Sequence, residues 1–371
     1  MRFYRPTSAE IDLGAIRHNL EIVSHIVGDG TMILGVVKAD AYGHGMSEVS
    51  KAITDYVDYF GVASLDEAGA LRAIGIKKPI LVVGAILPEE IDGVIRFNTI
   101  QTVSDIDIPR RLSRLGKSRN KKIKVHIKID TGMGRLGFWH EDAVGFVRKI
   151  AGLENIIVDG IFTHFPNAEA DMVFTHNQIK DFKRLVKELQ DNNIHIPVKH
   201  TANSMGLIDF KDSHMNMVRP GLMMYGIYPK ESLMKNILLK PALTLKTKIT
   251  HLKRVPGGRG ISYGMTYVTR KPTAIATIPV GYGDGYSRHF SNKAEVLVKG
   301  KRCPIAGRVC MDMCMIDTGH LKNVKAGDEV ILIGSQGNET IRAEELARLI
   351  NTIPYEVLCN IGRRVPRIYK K

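Results

Sequence analysis

An alternation of short apolar runs and amphipathic stretches, between about residue 31 and residue 230, constrains the fold of this chain more than any other feature. Each run is rich in β-branched residues and ends in a polar residue or a glycine, which is typical of a buried strand. Eight such units predict an α/β fold, a (β/α)8 TIM-type barrel. The predicted strands are Met32–Val37, Tyr59–Ala63, Ile80–Val83, Thr99–Val103, Ile123–Ile129, Ile157–Phe162, Val198–Thr201 and Met215–Val218. Helices are predicted between them, for example at Ser64–Ile74 and Asn177–Asp191.

The alternation stops after Tyr228, and the remaining sequence predicts a β-rich second domain with glycine-rich turns. One helix is predicted there, Ala343–Ile350, with Thr340 as its N-cap. We therefore predict a barrel over residues 1–234 and a β-strand domain over residues 235–371, with residues 1–12 alternatively packing with the second domain. The late strands are predicted at Leu243–Ile249, Ala274–Pro279, Ala294–Val298, Cys314–Asp317 and Glu329–Ile333.

Composition narrows the class of protein. The formal net charge is +15, but lysines and arginines are spread along the chain without a basic arm, so no nucleic-acid partner is expected. No run is apolar enough for a signal peptide or a membrane span, so we expect a cytoplasmic protein without a membrane partner. The four cysteines include no Cys-x2-Cys pair, and no metal site is expected.

Residues with reactive or charged side chains follow the predicted strands. They therefore lie at the C-terminal end of the predicted barrel, where the active sites of such barrels are found. These residues are Lys38, Arg135, His164, Ser204 and Arg219. A partly desolvated amine such as that of Lys38 can lose its proton and attack an aldehyde, which is what binding of pyridoxal 5'-phosphate (PLP) requires. Ser204 and the turn at Gly221 offer hydroxyl and backbone N–H donors to a phosphate. Each feature alone also fits a surface lysine or an ordinary strand-ending turn.

The segments around these residues resemble the alanine racemase family. Val-Val-Lys-Ala-Asp-Ala-Tyr-Gly-His-Gly around Lys38 is similar to the PLP-attachment motif of that family. The other similar segments occur in the family's order and extend the resemblance to essentially the whole chain. They are Lys128–Gly137, His200–Ser204, Arg219–Gly226, Ile261–Gly264, Gly281–Gly285 and Gly307–Asp312, with Tyr355 beyond them.

The resemblance implies PLP as cofactor, alanine as substrate and D-alanine for peptidoglycan as the product in the cell. It also implies a homodimer with shared active sites. Lys38 would carry PLP and act as one base, and Tyr263 from the partner subunit would act as the other. The cofactor would be held by Tyr42, His164, Ser204, Arg219, Gly221, Leu222 and Tyr355. Arg135 and Met311 would bind the substrate, and Asn203, Asp312 and Lys128 would support the site.

The residues fit a two-base racemisation. Two bases on opposite faces of a fixed cofactor can remove and return the Cα proton without moving the substrate. Arg219 at the pyridine nitrogen would not protonate the ring readily, because a guanidinium keeps its protons. This limits electron withdrawal, suppresses transamination, and argues against the fold-related decarboxylases, which use an acidic group there.

Lys128 requires a separate account. Alternation along Ile123–Asp130 places His126, Lys128 and Asp130 on one strand face, where a lysine near Arg135 would bury like charges. The resemblance implies carbamylation of Lys128, which would make it an anion that orients Arg135. The alternative is a lysine that reaches solvent and pairs with Asp130.

Three other functions compete with an alanine racemase. They are a PLP-binding barrel protein without turnover, a racemase for serine or a broader set of amino acids, and a nucleic-acid-binding module. The second domain, which carries Tyr263, argues against a PLP-binding protein without turnover, because such proteins resemble the barrel alone. Bulky residues at the predicted entrance favour alanine, because they leave little room for a larger side chain. These residues are Tyr263, Tyr282, Arg288, Ile353 and Tyr355.

Overall fold

The computed structural model describes residues 4–371, apart from the side chains of Glu231 and Lys235. Eight parallel strands form a nearly closed barrel, in which the first seven pair with one another in chain order. The first and eighth strands also pair, with Met32 opposite Met217. The barrel strands are Met32–Val36, Tyr59–Val62, Ile80–Val82, Ile100–Val103, Ile123–Asp130, Ile156–Phe162, Val198–His200 and Met217–Val218. The predicted barrel is confirmed.

The seventh and eighth strands meet without a regular ladder. Two backbone hydrogen bonds join their neighbourhoods, from Asn216 N to Lys199 O at 3.3 Å and from Arg219 N to Ala202 O at 3.0 Å. The second bond fixes the backbone of Arg219 just beyond the end of its strand. The opening in the sheet therefore lies next to residues that the sequence assigns to the site.

Local capping sets the beginnings of the barrel helices. Ser64 Oγ accepts a hydrogen bond from Glu67 N at 3.3 Å, so the predicted Ser64–Ile74 helix begins at Leu65. Asp171 Oδ1 accepts from Phe174 N at 2.9 Å, so the predicted Asn177–Asp191 helix begins earlier than expected. The helices of this region are Leu13–Val27, Met46–Ile53, Leu65–Ala73, Ile91–Arg96, Asp107–Ser118, Ala143–Ala151, Met172–Asp191 and Ser204–Asp209.

The second domain is built from short antiparallel strands, as predicted. Its strands are Leu243–Lys248, His251–Val255, Gly260–Ile261, Tyr267–Val268, Thr273–Ile278, Glu295–Val298, Lys301–Pro304, Cys314–Asp317, Glu329–Gln336, Glu339–Ile341 and Arg367–Lys370. Its helices are Ala343–Leu349 and Pro354–Cys359. Apolar residues of both domains form one continuous core. Among residues 4–371, no helix is long and apolar enough to cross a membrane.

The N-terminal strand, Ser8–Asp12, belongs to the sheet of the second domain. It pairs antiparallel with Leu243–Lys248 and parallel with Arg367–Lys370. The first three residues of the 1–12 segment lie outside the described residues. The following helix, Leu13–Val27, returns to the barrel.

One predicted cap is wrong. Thr340 lies in the strand Glu339–Ile341, and Arg342 occupies the N-cap position of the helix Ala343–Leu349. The hairpin with Glu329–Gln336 extends to Ile341, so the helix cannot begin earlier. The hydroxyl of Thr340 instead lies 2.8 Å from that of Ser335 across the hairpin.

Candidate active site

The turn after the first barrel strand has an uncommon backbone. Four consecutive residues, Ala39 to Tyr42, have φ between 52° and 54°, in the left-handed region that L-residues avoid. Ala41 N donates to Val37 O at 2.8 Å, and Gly43 N donates to Ala39 O at 3.0 Å. The result is a left-handed helical turn that starts at Lys38.

Contacts from outside hold this left-handed turn. Glu67 Oε1 accepts from Ala39 N at 2.7 Å, and Arg367 Nε of the second domain donates to Gly43 O at 3.0 Å. A Cβ at Gly43 would lie 2.3 Å from Leu358 O, so only glycine fits there. Both domains therefore fix the direction in which Lys38 leaves the strand.

Lys38 is half-buried at the rim of the barrel. Burial lowers the pKa of its amine, and the guanidiniums of Arg135 and Arg219 lower that pKa further, while Glu67 opposes them. A lysine with a lowered pKa is more often neutral, and its neutral amine is both a nucleophile and a base. The predicted role of Lys38 as nucleophile and base requires such a neutral amine, and that role stays a prediction.

Hydroxyl and backbone N–H groups gather beside Lys38. The rings of Tyr42 and Tyr355 lie 5.6 Å apart between centroids, and burial raises the pKa of both phenols, so both keep a proton to donate. Ser204 Oγ accepts from Gly221 N at 3.0 Å, and Leu222, which follows, opens a short 3-10 turn. We call Tyr42, Ser204, Gly221, Leu222 and Tyr355 the hydroxyl cradle. A Cβ at Gly221 would lie 2.7 Å from the Tyr42 hydroxyl, so the cradle depends on glycine.

Arg219 forms the buried floor of the site. Its Nη2 donates to Thr163 O at 2.8 Å and to Thr201 O at 2.9 Å, and lies 3.3 Å from His164 Nδ1. Its Nη1 lies 2.9 Å from His200 Nδ1. These contacts leave the guanidinium little freedom to rotate.

His164 and Asn203 also lie near this floor. Burial, followed by the charges of Arg219, Lys128, Arg135 and Lys38, lowers the pKa of His164 well below its usual value, so its ring is neutral. Asn203 Oδ1 accepts from Gly206 N at 2.9 Å and caps the helix Ser204–Asp209. Asn203 thereby positions the first residue of that helix, which is a member of the hydroxyl cradle.

Lys128 lies inside the barrel, with 3% of its surface exposed. Its Nζ donates to Ile129 O at 2.7 Å and lies 5.3 Å from the centroid of the Phe162 ring. Burial, together with Arg219 and Arg135, lowers the pKa of Lys128 to about 7. The alternative in which Lys128 reaches solvent is therefore wrong. Asp130 instead uses Oδ1 to accept from two backbone N–H groups of the following turn, each at 2.8 Å.

The second-domain residues lie elsewhere on this single chain. Tyr263 is 71% exposed and Met311 is 54% exposed. Asp312 Oδ1 pairs with Arg364 Nη2 at 2.7 Å on the same surface. No described contact between residues 4 and 371 joins these residues to Lys38 or the hydroxyl cradle. Other exposed apolar residues of this domain include Met265, Val268, Tyr282, Met313 and Ile353.

Two family models match the chain and together span most of it. The model described as "Alanine racemase, N-terminal domain" matches residues 11–229. The model described as "Alanine racemase, C-terminal domain" matches residues 242–369. The chain belongs to the alanine racemase family.

Individual members of the alanine racemase family agree over the full length. The alanine racemase of Halothermothrix orenii is 47% identical over 371 residues, covering 100% of this chain and 98% of that protein. A solved alanine racemase of Clostridium difficile 630 is 40% identical with a TM-score of 0.93, covering 100% of this chain and 97% of that one. The structure from Bacillus anthracis with bound L-Ala-P is 37% identical with a TM-score of 0.93, covering 100% and 96%.

Two buried histidines beneath Arg219, His200 and His126, form a hydrogen-bonded histidine relay that the sequence analysis did not predict. His200 Nε2 lies 2.9 Å from His126 Nδ1, and His126 Nε2 lies 3.6 Å from Asp159 Oδ2. Arg219 can only donate, so His200 accepts at Nδ1 and donates at Nε2 to His126. Burial lowers the pKa of both histidines, so both rings are neutral. The alternation that placed His126 on the inner face of its strand was the available signal.

Proposed function

We propose that this protein is a cytoplasmic alanine racemase that interconverts L-alanine and D-alanine with PLP and supplies D-alanine for peptidoglycan. One observation carries the proposal. Lys38 is half-buried, the guanidiniums of Arg135 and Arg219 lower the pKa of its amine, and the same left-handed turn carries Tyr42 of the hydroxyl cradle. The full-length identity to alanine racemases supports the substrate.

The donor set fits PLP. The hydroxyl cradle offers phenol, hydroxyl and backbone donors that suit a phosphate dianion. Lys38 offers an amine to the aldehyde, and Arg219 offers a fixed N–H to the pyridine nitrogen. When bound, PLP withdraws electrons from a substrate amine and acidifies its Cα–H bond.

Arg219 and the histidine relay set the electronic character of the site. Because Arg219 donates to His200 Nδ1, its guanidinium is held as a hydrogen-bond donor, and it would not readily transfer a proton to the ring nitrogen. Restricting ring protonation favours return of the proton to Cα over transamination. An acidic residue at this position would have the opposite effect.

Lys38 and Tyr263 are the proposed bases. Lys38 would move the proton on one face of the substrate, and Tyr263 of a partner subunit would act on the other face. The exposure of Tyr263 and its apolar neighbours supports a twofold dimer, because large exposed apolar patches mark protein interfaces. In that dimer Met311 and Asp312 would reach the same site through their backbone and side chain.

Arg135 and Lys128 are the proposed carboxylate-binding pair. The charge of Arg135 lowers the pKa values of Lys38, Lys128 and His164, so its guanidinium lies near all three. Arg135 is exposed at the rim, where it can bind a substrate carboxylate. A Lys128 pKa of about 7 leaves much of the amine neutral, which is the form that reacts with CO2. Addition of CO2 with loss of one proton would give a carbamate anion that orients Arg135 and relieves the burial of like charges.

The test is turnover by the PLP-loaded protein. Purified protein is incubated with a panel of small L-amino acids, and D-product is quantified by chiral chromatography. Rapid formation of D-alanine, with much slower reaction of serine and larger amino acids, is expected. Absence of any D-product from a protein that has bound PLP would favour a cofactor carrier and overturn the proposal.

A further inference from the structure

Residues 110–124 carry a concentration of positive charge on the outside of the barrel. Eight of these residues are lysine or arginine, and none is aspartate or glutamate. The segment includes most of the helix Asp107–Ser118 and the start of the barrel strand Ile123–Asp130. One part of the barrel surface therefore carries about half as many charges as the formal net charge of +15.

The helix Asp107–Ser118 has one apolar face and one cationic face. On the apolar face, Ile108 and Leu112 are buried. The basic residues share the exposed face, because positions three and four apart on a helix are neighbours. These exposed residues are Arg110, Arg111, Arg114 and Lys117. The helix is thus held to the protein by one face and presents a line of cations to solvent on the other.

Few carboxylates neutralise the cations of residues 110–124. Arg110 pairs with Asp107 at 3.8 Å, and Lys124 pairs with Asp159 at 2.8 Å. The six basic residues between Arg110 and Lys124 make no ion pair with any residue of the range 4–371. Like charges one helical turn apart destabilise a helix, and a bound anion would relieve this repulsion. We call these six residues the basic ridge: Arg111, Arg114, Lys117, Arg119, Lys121 and Lys122.

A cleft continues the basic ridge at the N-terminal end of the barrel strands. Pro79, Ile100 and Ile123 line it, and its volume is about 290 Å³. Its charged lining residues are all cationic, and no carboxylate lines it. They are Arg72, Lys77, Lys121, Lys122 and Lys124. We call it the basic cleft. Lys38 follows the C-terminal end of its strand, so the basic cleft is separate from the candidate active site.

Acidic residues line a neighbouring groove. That groove shares Arg119 and Lys121 with the basic ridge, but Glu89, Glu90 and Asp92 also line it. Carboxylates repel an anion, so an anionic chain is disfavoured in this groove. The surface that remains for such a chain runs along the exposed face of the helix and into the basic cleft.

We propose that the basic ridge and the basic cleft bind an unbranched polyphosphate chain. A flexible chain with charge on every unit can contact successive cations along the helix and then enter the concave cleft. Neutralisation of these cations releases counterions, which favours binding and makes it dependent on salt. The surface uses none of the residues assigned to the candidate active site, so the proposal does not depend on the proposed racemase function.

Two other polyanions fit this surface less well. Single-stranded nucleic acid gains affinity from bases that stack on aromatic side chains, and no large apolar side chain is exposed between Leu87 and Trp139. Helices that bind a lipid surface insert their apolar face into it, whereas that face of the helix Asp107–Ser118 is buried in the protein. A planar lipid surface would also meet only the rim of a concave cleft.

The test is calorimetric titration of the protein with inorganic polyphosphate over a series of salt concentrations. PLP is kept in excess so that the hydroxyl cradle does not compete for phosphate. Orthophosphate at the same phosphorus concentration shows whether a chain is required. Polyuridylic acid and vesicles of anionic phosphatidylglycerol are titrated under the same conditions.

Two triple variants separate the basic ridge from net charge. The ridge variant combines Arg114→Gln, Lys121→Gln and Lys122→Gln, all at exposed positions. Glutamine is a good helix former, so the helix should persist. Thermal unfolding checks that each variant folds.

The matched control removes the same charge from the second domain. It combines Lys301→Gln, Lys322→Gln and Lys325→Gln, which are also exposed. None of these three lysines makes an ion pair with a residue of the range 4–371, so the two variants differ in where the charge is lost.

Saturable, salt-dependent binding of polyphosphate is expected in the wild type and in the control variant. The ridge variant should bind about tenfold or more weakly, and its slope of log K against log salt should be smaller by about three, one for each lost phosphate contact. Equal weakening in both variants, orthophosphate binding as tight as polyphosphate, tighter binding of polyuridylic acid or vesicles, or no saturable binding would each overturn the proposal.

Discussion

Replacing Gly221 with alanine directly tests the hydroxyl cradle. The new Cβ would lie 2.7 Å from the Tyr42 hydroxyl, whereas ordinary contact begins at 3.4 Å, so the hydroxyl must move by the difference, about 0.7 Å. Overpacking of this kind lowers the free energy of unfolding by about 1–3 kcal/mol. A displaced hydroxyl also loses its bond to a charged phosphate, which contributes about 1.5–3 kcal/mol. The dissociation constant of PLP should therefore rise roughly tenfold to a hundredfold.

The assay combines fluorescence titration of the apoprotein with PLP and denaturant unfolding of each variant. Gly145→Ala is the matched control, because a Cβ at that helical position meets open space. It should leave PLP affinity unchanged and increase stability by about 0.5–1 kcal/mol.

Gly221→Ala is also made in the Tyr42→Phe variant, which lacks the hydroxyl. In Tyr42→Phe the hydroxyl is gone, and the nearest ring carbon, Cζ, lies at an ordinary 3.4 Å from the new Cβ. Gly221→Ala should therefore cost little further affinity or stability in that background. If the two substitutions are additive, the clash with the Tyr42 hydroxyl is not the cause and the reasoning fails.

Four further results are expected. Lys38→Ala should abolish the visible absorption of lysine-bound PLP and nearly all racemisation, and an unchanged spectrum would contradict the assignment. Arg219→Glu should slow racemisation and produce detectable pyruvate from alanine by transamination; identical products would show that Arg219 does not contact the ring nitrogen. Mixing Lys38→Ala with Tyr263→Phe under confirmed subunit exchange should restore activity to about a quarter of all sites, because one site of each mixed dimer is intact; no recovery would exclude shared sites. In bicarbonate-depleted buffer, the free energy of unfolding should rise more steeply between pH 7 and pH 10 in the wild type than in Lys128→Met, because the unfolded chain binds a proton that native Lys128, with its lowered pKa, has released; equal slopes in denaturant unfolding would refute this.

Periodicity predicted the architecture because buried strands and amphipathic helices are local signals. The barrel strands and several strands of the second domain follow from such runs. His251–Val255 was missed because its side chains are mostly exposed or half-buried, and a polar strand has no apolar pattern to detect. Thr340 was misassigned because hairpin pairing across Ser335 overrode its capping preference.

The sequence predicts the residues of the candidate site but not their arrangement. Lys38, Arg219 and Gly221 stand at strand ends, where a barrel places function. The backbone after Lys38 was not predictable, because the two alanines and the tyrosine of this segment give no signal for a left-handed turn. The histidine relay was equally hidden, since His126 and His200 come together only when the barrel forms.

The left-handed turn has a consequence for how the protein acquires its cofactor. Each L-residue in that conformation costs roughly 1–2 kcal/mol, so the four residues Ala39 to Tyr42 together oppose a large part of a typical net stability of about 5–15 kcal/mol. A nascent or partly unfolded chain relaxes this segment, since Arg367 and Leu358 are then not in place to hold it. The turn that begins at Lys38 is therefore held by contacts that exist only when the second domain is in place. If the protein binds PLP as proposed, capture of the cofactor would therefore be coupled to completed folding of both domains.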